Sequence, residues 1–463
     1  MIEPLPIRDA VYRNPAICSL GQRSKGRLLS ARGVGLRSVW RWLVVVVCLF
    51  GWAESASAQF DFEGPPIRYR QAATDNAITR LEARLRSGET ELVPDRNGDY
   101  LASLLAELEI PVSSQTLVFS KTSLQQSRIG PSMPRAIYFN DECYVGWVQG
   151  GVIEIGVVDE RLGGIFYTYR GGTRNVSFNR DRGACLGCHA TGKTQRVPGF
   201  LIRSIYPDAE GRARDLGFVT DHRSPFAERW GGWYVSGLHG SMRHLGNELA
   251  LDPDDDEKID VERGANRVTL DDHFDTSKYL TPHSDLIALL VMEHQSQMHN
   301  FITLARYETL RALDTGEPTA AAGDADPVPP PVSDEAMRRI AAAGDRLIEF
   351  LLFCDEPRLT SPVSGTSGFD TEFAALGPFD SQDRSLRQFD LQTRLFRYPC
   401  SYLIYSPAFA ALPEPMLDYV RGRLTEILRG EVSDDRFDHL SGEDRQAILE
   451  ILTETMPSWF PAG

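Results

Sequence analysis

Two stretches near the N-terminal third repeat apolar residues at helical spacing. They are "TDNAITRLEARLRSG" (74–88) and "NGDYLASLLAELEIP" (97–111), each opening on Asp or Asn and stopping at Gly88 or Pro111. The texture then changes. "AIYF", "YVGWVQ", "VIEIGVV" and "IFYTYR" are short β-branched and aromatic runs separated by Asn140-Asp141, Gly150-Gly151 and "DERLGG". That pattern predicts an antiparallel meander over residues 136–170. Further strands are predicted at "FLIRSIY" and "GGWYVSG". From Ser284 one long helical run extends to Asp314. Residues 315–333 are rich in Pro, Ala and Asp and read as a linker. Beyond it the pattern is mainly helical. "SGEDRQAILEILTET" opens with Ser441 and Asp444 in capping-box positions.

The first 58 residues follow a different logic. Scattered Arg and Lys precede an apolar run of about 11 residues, Leu43 to Ala53, and Ala56-Ser57-Ala58 offers a small-x-small cleavage site. The run falls short of the ~20 apolar residues a membrane span needs. Residues 1–58 are therefore expected to be a signal peptide. The mature protein is expected to be exported, to a periplasmic or other extracytoplasmic location, and not to be integral to the membrane. The leader holds eight of the 49 Lys/Arg and three of the 64 Asp/Glu. Its removal leaves 41 basic and 61 acidic side chains, a net charge of −20. Such an acidic chain is a poor partner for nucleic acid or anionic membrane.

Residues 183–194, "GACLGCHATGKT", match two motifs at once. Cys185-x-x-Cys188-His189 is the signature of covalent haem attachment. Gly187 to Thr194 fits the phosphate-cradling G-x-x-x-x-G-K-[ST]. A phosphate loop needs a buried strand before it and a helix after it. Here "FNRDRGAC" precedes, and Pro198 follows too closely for a helix. A zinc site would want a second ligand pair, and a redox dithiol would open a helix after a strand. The haem reading meets its own requirement, because the two thiols and the following imidazole can serve one porphyrin and its iron, and the leader takes the chain out of the cytoplasm.

On these five residues the chain resembles c-type cytochromes. "PRAIYFNDECYVGWVQGG" and "ERWGGWYVSGLHG" also resemble segments of exported bacterial proteins known only as cytochrome c domain-containing. The resemblance implies one haem c, with Cys185 and Cys188 as thioether anchors and His189 as proximal ligand. The chain departs from small cytochromes c, which are helical with the motif near their start; here it follows a β-meander.

The sixth iron ligand is open between sources. The loop "SGLHGSMRHLGN" offers His239, His244 and Met242, the last 53 residues beyond His189. The long helix offers His294 and Met298 at i and i+4 on one face. An open iron is the third possibility. Within the loop the two imidazoles are preferred to Met242. In "DHRSP", His222 and Arg223 could face haem propionates, or the segment is simply a turn. Trp230 and Trp233 read as packing, and "DPDDDEK" (252–258) as a solvated acidic loop rather than a calcium site. Cys143 reads as a buried strand thiol. Cys354 and Cys400 are expected to pair, closing a loop worth roughly 4 kcal/mol.

The fold class expected is α+β. A signal peptide (1–58) leads to a helical N-terminal segment (59–110) and an antiparallel β-rich haem-bearing module (111–250). An acidic loop and the long helix (251–314), the linker (315–333) and a helical C-terminal region (334–463) follow. The function expected is one-electron transfer by an exported mono-haem c-type cytochrome with an unknown redox partner protein. The alternatives are a peroxidase-like haem enzyme and a haem-based ligand sensor or binding module.

Overall fold

A computed structural model describes residues 61–171, 177–214, 217–251, 259–314 and 332–460. The leader, the acidic loop 252–258 and most of the linker lie outside the described residues. The protein has an α+β fold with a mainly helical C-terminal region.

The two N-terminal helices form as their patterns predict. α1 spans Ala77–Ser87, with Asn76 and Thr79 in a reciprocal capping box and Gly88 closing it in the left-handed conformation. α2 spans Leu101–Glu107. The meander comprises β2 (Arg135–Phe139), β3 (Cys143–Trp147), β4 (Ile153–Asp159) and β5 (Gly163–Tyr169). It is extended by β1 (Thr116–Val118), β6 (Asn179–Arg180) and β9 (Trp233–Tyr234) into an antiparallel sheet of order β6-β5-β4-β3-β2-β1-β9. The "FLIRSIY" run contributes β7 (Ile202–Ser204) to a separate hairpin-like pair with β8 (Phe218–Thr220).

Register sorts the sheet's residues by face. Tyr144 pairs with Gly156, and Gly156 with Phe166. Gly146 pairs with both Ile137 and Glu154, and Glu154 with Thr168. Directly opposed residues share a face, so these seven lie together. The opposite face meets the N-terminal helices: Tyr100 packs edge-on to Tyr169, and the Asn76 amide donates to the Tyr167 hydroxyl at 3.3 Å.

The predicted long helix is α4, Leu286–Leu313, capped by Asp285, whose carboxylate accepts from the backbone of Ile287 and Ala288. Every residue from Leu286 to Ala305 is buried. A helix buried all round must sit inside the molecule with its polar side chains partnered. α4 packs along α5 (Asp334–Leu351) and against β5, and α8 (Glu414–Leu428) and α9 (Gly442–Thr455) close the far side. The α9 N-terminus carries the predicted capping box.

Most polar groups of α4 are paired inside the core, while Glu293 Oε1, Ser296 Oγ and His299 Nδ1 have no hydrogen-bond partner. The Glu293 carboxylate meets the Arg229 guanidinium at 2.9 Å. His294 Nδ1 lies 2.8 Å from His222 Nδ1, and its Nε2 lies 2.7 Å from Ser401 Oγ. Both imidazoles stack on the ring of Phe353. Cys354 and Cys400 are free thiols, buried on the α5 side, so the expected disulfide does not form. Burial pushes the Cys354 thiol up to about 12 and raises that of Cys400 further. Both behave as small apolar side chains, like Cys143 in β3.

Burial holds His222, His244, His294 and His299 neutral, with pKa values below the ordinary 6.5. Their contribution to stability is complete above about pH 6.5, the unfolded value, and is lost as pH falls. Glu293 and Glu356, raised by burial to about 7, act with the opposite sign as pH drops from about 7 to 4.3. With His189, His239 and His273 also lowered and Glu142 and Asp159 also raised by burial, seven imidazoles outweigh four carboxyls. Urea unfolding midpoints are therefore expected to fall between neutral pH and about pH 5.5, with a net slope on the order of 1–3 kcal/mol per pH unit. A midpoint that holds steady or rises contradicts this balance.

Candidate functional site

The motif segment follows β6. The Asp181 carboxylate accepts from the backbone N–H of Gly183, Ala184 and Cys185, at 2.9, 3.2 and 3.0 Å. That turn delivers the chain into α3, a single helical turn Leu186–His189. A short 3-10 turn, Gly192–Thr194, comes next, and Gln195 and Arg196 take left-handed backbone conformations. No buried strand leads into Gly187 and no long helix leaves Thr194 among the described residues, so the phosphate-loop match lacks its scaffold.

Cys185, Cys188 and His189 line one cavity of about 320 Å³. Its floor is the sheet face set out above, with Ile137, Tyr144, Glu154, Gly156, Phe166 and Thr168. Its remaining walls include Phe200, Leu201 and Ile202, with Met292 and Ser296 of α4. The cavity is therefore mainly apolar with a few polar groups, the usual make-up of a cofactor or ligand pocket.

His189 is held by a short chain of contacts. Its Nδ1 lies 2.9 Å from the Gly199 carbonyl oxygen, which can only accept. The proton therefore sits on Nδ1, and Nε2 keeps its lone pair. Burial lowers the His189 pKa, and the hydrogen bond to Gly199 opposes this in part. The ring is neutral at neutral pH, the form that ligates metal. The carbonyl is fixed in turn by Asn300 of α4, whose side chain accepts from Phe200 N–H at 2.8 Å and donates to Phe200 C=O at 2.7 Å. A Cβ on Gly199 would sit 2.0 Å from Asn300 Oδ1, so only glycine fits there.

The Cys185 thiol is not poised as a nucleophile. Burial, reinforced by the Asp181 carboxylate, pushes Cys185 up to about 12, so it is a thiol at neutral pH. Among the described residues no group of three or more His, Cys, Asp and Glu side chains is placed to hold a metal ion. Arg135 lies along the same wall, over Gly146, and pairs with Glu154 at 2.6 Å. Its Nε is buried without a hydrogen-bond partner, while the side chain as a whole keeps 20% exposure. The donor set, the apolar walls and this partly exposed cation are the groups a covalently held haem would use.

None of the distal candidates read from the sequence lines this cavity. His239 donates from Nδ1 to the Met242 carbonyl at 2.7 Å, and its Nε2 accepts from Asn266 N–H at 2.9 Å, so both nitrogens are committed. His244 packs against Trp230 and accepts from Gly246 N–H; Met242 is buried. His294 is committed to His222 and Ser401, and Met298 is fully buried in the core. Helical phase explains the failure on α4. Met292 and Ser296, at i and i+4, share the cavity face, and His294, midway between them, points elsewhere. Sequence reasoning passed over Met292, whose only signal is that phase. His222 and Arg223 do not line the cavity either: one joins His294 and the other pairs with Asp221 at 2.6 Å. Trp230 and Trp233 are core residues.

No protein-family model matches the chain, and neither a curated protein nor a solved structure is found to be similar to it.

Asn300→Ala leaves the Phe200 N–H and C=O buried without partners. It is expected to destabilise the protein by about 2–4 kcal/mol and to speed hydrogen exchange at residues 199–202. Gly199→Ala should do the same through the clash with Asn300. Wild-type stability and exchange in both variants would show that this grip does not hold the segment.

Proposed function

We propose that the protein is an exported mono-haem c-type cytochrome that carries single electrons. The observation that supports this most is the convergence of Cys185, Cys188 and a His189 whose Nε2 keeps its lone pair on one apolar cavity. Cys185 and Cys188 would hold haem c by thioether bonds, and His189 would ligate its iron. When bound, the haem supplies an Fe(III)/Fe(II) couple. The chain's own part is to orient the imidazole through Gly199, to keep water from the floor with Phe166 and Phe200, and to offer Arg135 to an anionic substituent.

A second reading, a peroxidase-like enzyme or a ligand sensor, has its own support. Met292 is the one thioether on the wall, and its sulfur is engaged by Thr116 Oγ1 at 3.8 Å. Ser296 and the Tyr144 hydroxyl are the neighbouring polar groups, and an iron left open beside them would bind small ligands.

Expressed with a c-type maturation system, the denatured chain should keep a haem-dependent peroxidase stain on a gel. Cys185→Ala combined with Cys188→Ala should abolish it, and haem that washes off the wild type would refute the proposal. Electron transfer predicts a low-spin wild type; Met292, released from Thr116, would supply the second iron ligand beside His189, so Met292→Ala should turn the protein high-spin. A wild type that is already high-spin and takes up CO or peroxide readily favours the enzyme or sensor.

A further inference from the structure

A second cavity, of about 330 Å³, lies beside the first and serves none of the roles above. Tyr144, on the wall of the first cavity, pairs with Phe139, on the wall of the second. Gln295 also lines the second cavity and donates to the Tyr144 hydroxyl at 2.9 Å. The two spaces thus share a partition while having separate linings.

The second cavity is an aromatic box with an acidic rim. Phe139 joins Phe369 and Phe373 of α6 (Phe369–Ala374), with Leu105 and Ile110 opposite. Glu109, Asp141 and Glu372 complete it, and no Lys or Arg lines it. Asp141 is neutralised by Arg387, at 3.1 Å from outside the lining, and this guanidinium lies over the ring of Phe373. Glu109 and Glu372 keep their charge, both exposed at the mouth, with Glu372 accepting from Ser113 Oγ. The side-chain amides are already used. Gln295 donates to the Asn140 carbonyl and to Tyr144 and accepts from Tyr402, while Asn140 donates to the Leu108 carbonyl and accepts from Glu142 and Cys143 N–H. Recognition in the box is left to apolar contact, aromatic faces and carboxylates.

We infer that this cavity binds a small organic cation, an aromatic or apolar body carrying one ammonium group. The volume falls within the ~300–1,000 Å³ of small-molecule sites. The apolar walls suit the body of such a ligand and the rim carboxylates favour its charge, and an anion of the same shape would meet Glu109 and Glu372 with no counter-charge on the wall. The inference does not depend on haem, so it stands or falls separately from the proposed function.

Titration calorimetry on the purified mature chain, with phenethylamine as probe and phenylacetate as its anionic counterpart, tests it. Phenethylamine should bind saturably and at least about ten-fold more tightly than phenylacetate. Glu109→Gln with Glu372→Gln should erase most of that preference. Ala106→Trp, on the exposed rim, should block the probe at an unchanged melting temperature; if that variant melts early, Leu376→Trp, at a 64% exposed position, serves as the plug. Absence of saturable phenethylamine binding, equal affinity for phenylacetate, or a folded plug variant that binds as the wild type does would overturn the inference.

Discussion

The candidate site rests on one buried amide. Asn300, within the wholly buried stretch of α4, holds both backbone groups of Phe200. That grip sets the Gly199 carbonyl against His189 Nδ1 and so decides which imidazole nitrogen is left for chemistry. The stakes are high because a buried amide or peptide group without a partner costs about 1–3 kcal/mol. The helix cannot rotate or slide without releasing the segment. It is further pinned at its start by Asp285, which caps it and also accepts from the backbone of Thr366 and Ser367 in the C-terminal region.

The same helix explains why one fold carries two cavities. It crosses the inner face of the sheet, where Gly146 and Gly156 make room for side chains from elsewhere. The space over Gly146 takes the flat guanidinium of Arg135, and the ring of Phe200 leans over Gly156. Met292 and Ser296 look into one cavity and Gln295 into the other. The other polar side chains of that helical stretch, Glu293 and His294, are spent on Arg229, His222 and Ser401. Polar residues in this buried stretch therefore pair with groups on neighbouring elements, as Glu293, His294 and Asn300 do, or face a cavity, as Ser296 does.

Much of the scaffold was legible in the chain, because it depends on local pattern. Short β-branched and aromatic runs between turn residues located the meander, and Asn76, Gly88 and Ser441 marked helix ends that the structure keeps. The Cys185–His189 segment was legible as a motif, and its residues do share a cavity. What escaped depended on distant partners. The three-residue strand Thr116–Val118 exists because β2 and β9 flank it. The histidines of the 239–244 loop looked available because sequence does not show Asn266 or the carbonyl of Met242 occupying their nitrogens. His294 was on the right helix at the wrong phase, and Met292 passed unnoticed beside it. Cys354 and Cys400 shared a region without sharing a bond, since burial alone suffices to keep both thiols.

Peptide mass spectrometry of the protein recovered from an export-competent host that matures c-type haem tests the central claim most directly. Trypsin should release Gly183–Lys193, "GACLGCHATGK", as one species carrying the mass of a single haem, with neither thiol open to alkylation. Recovery of that peptide unmodified, with Cys185 and Cys188 both alkylated, would contradict the account.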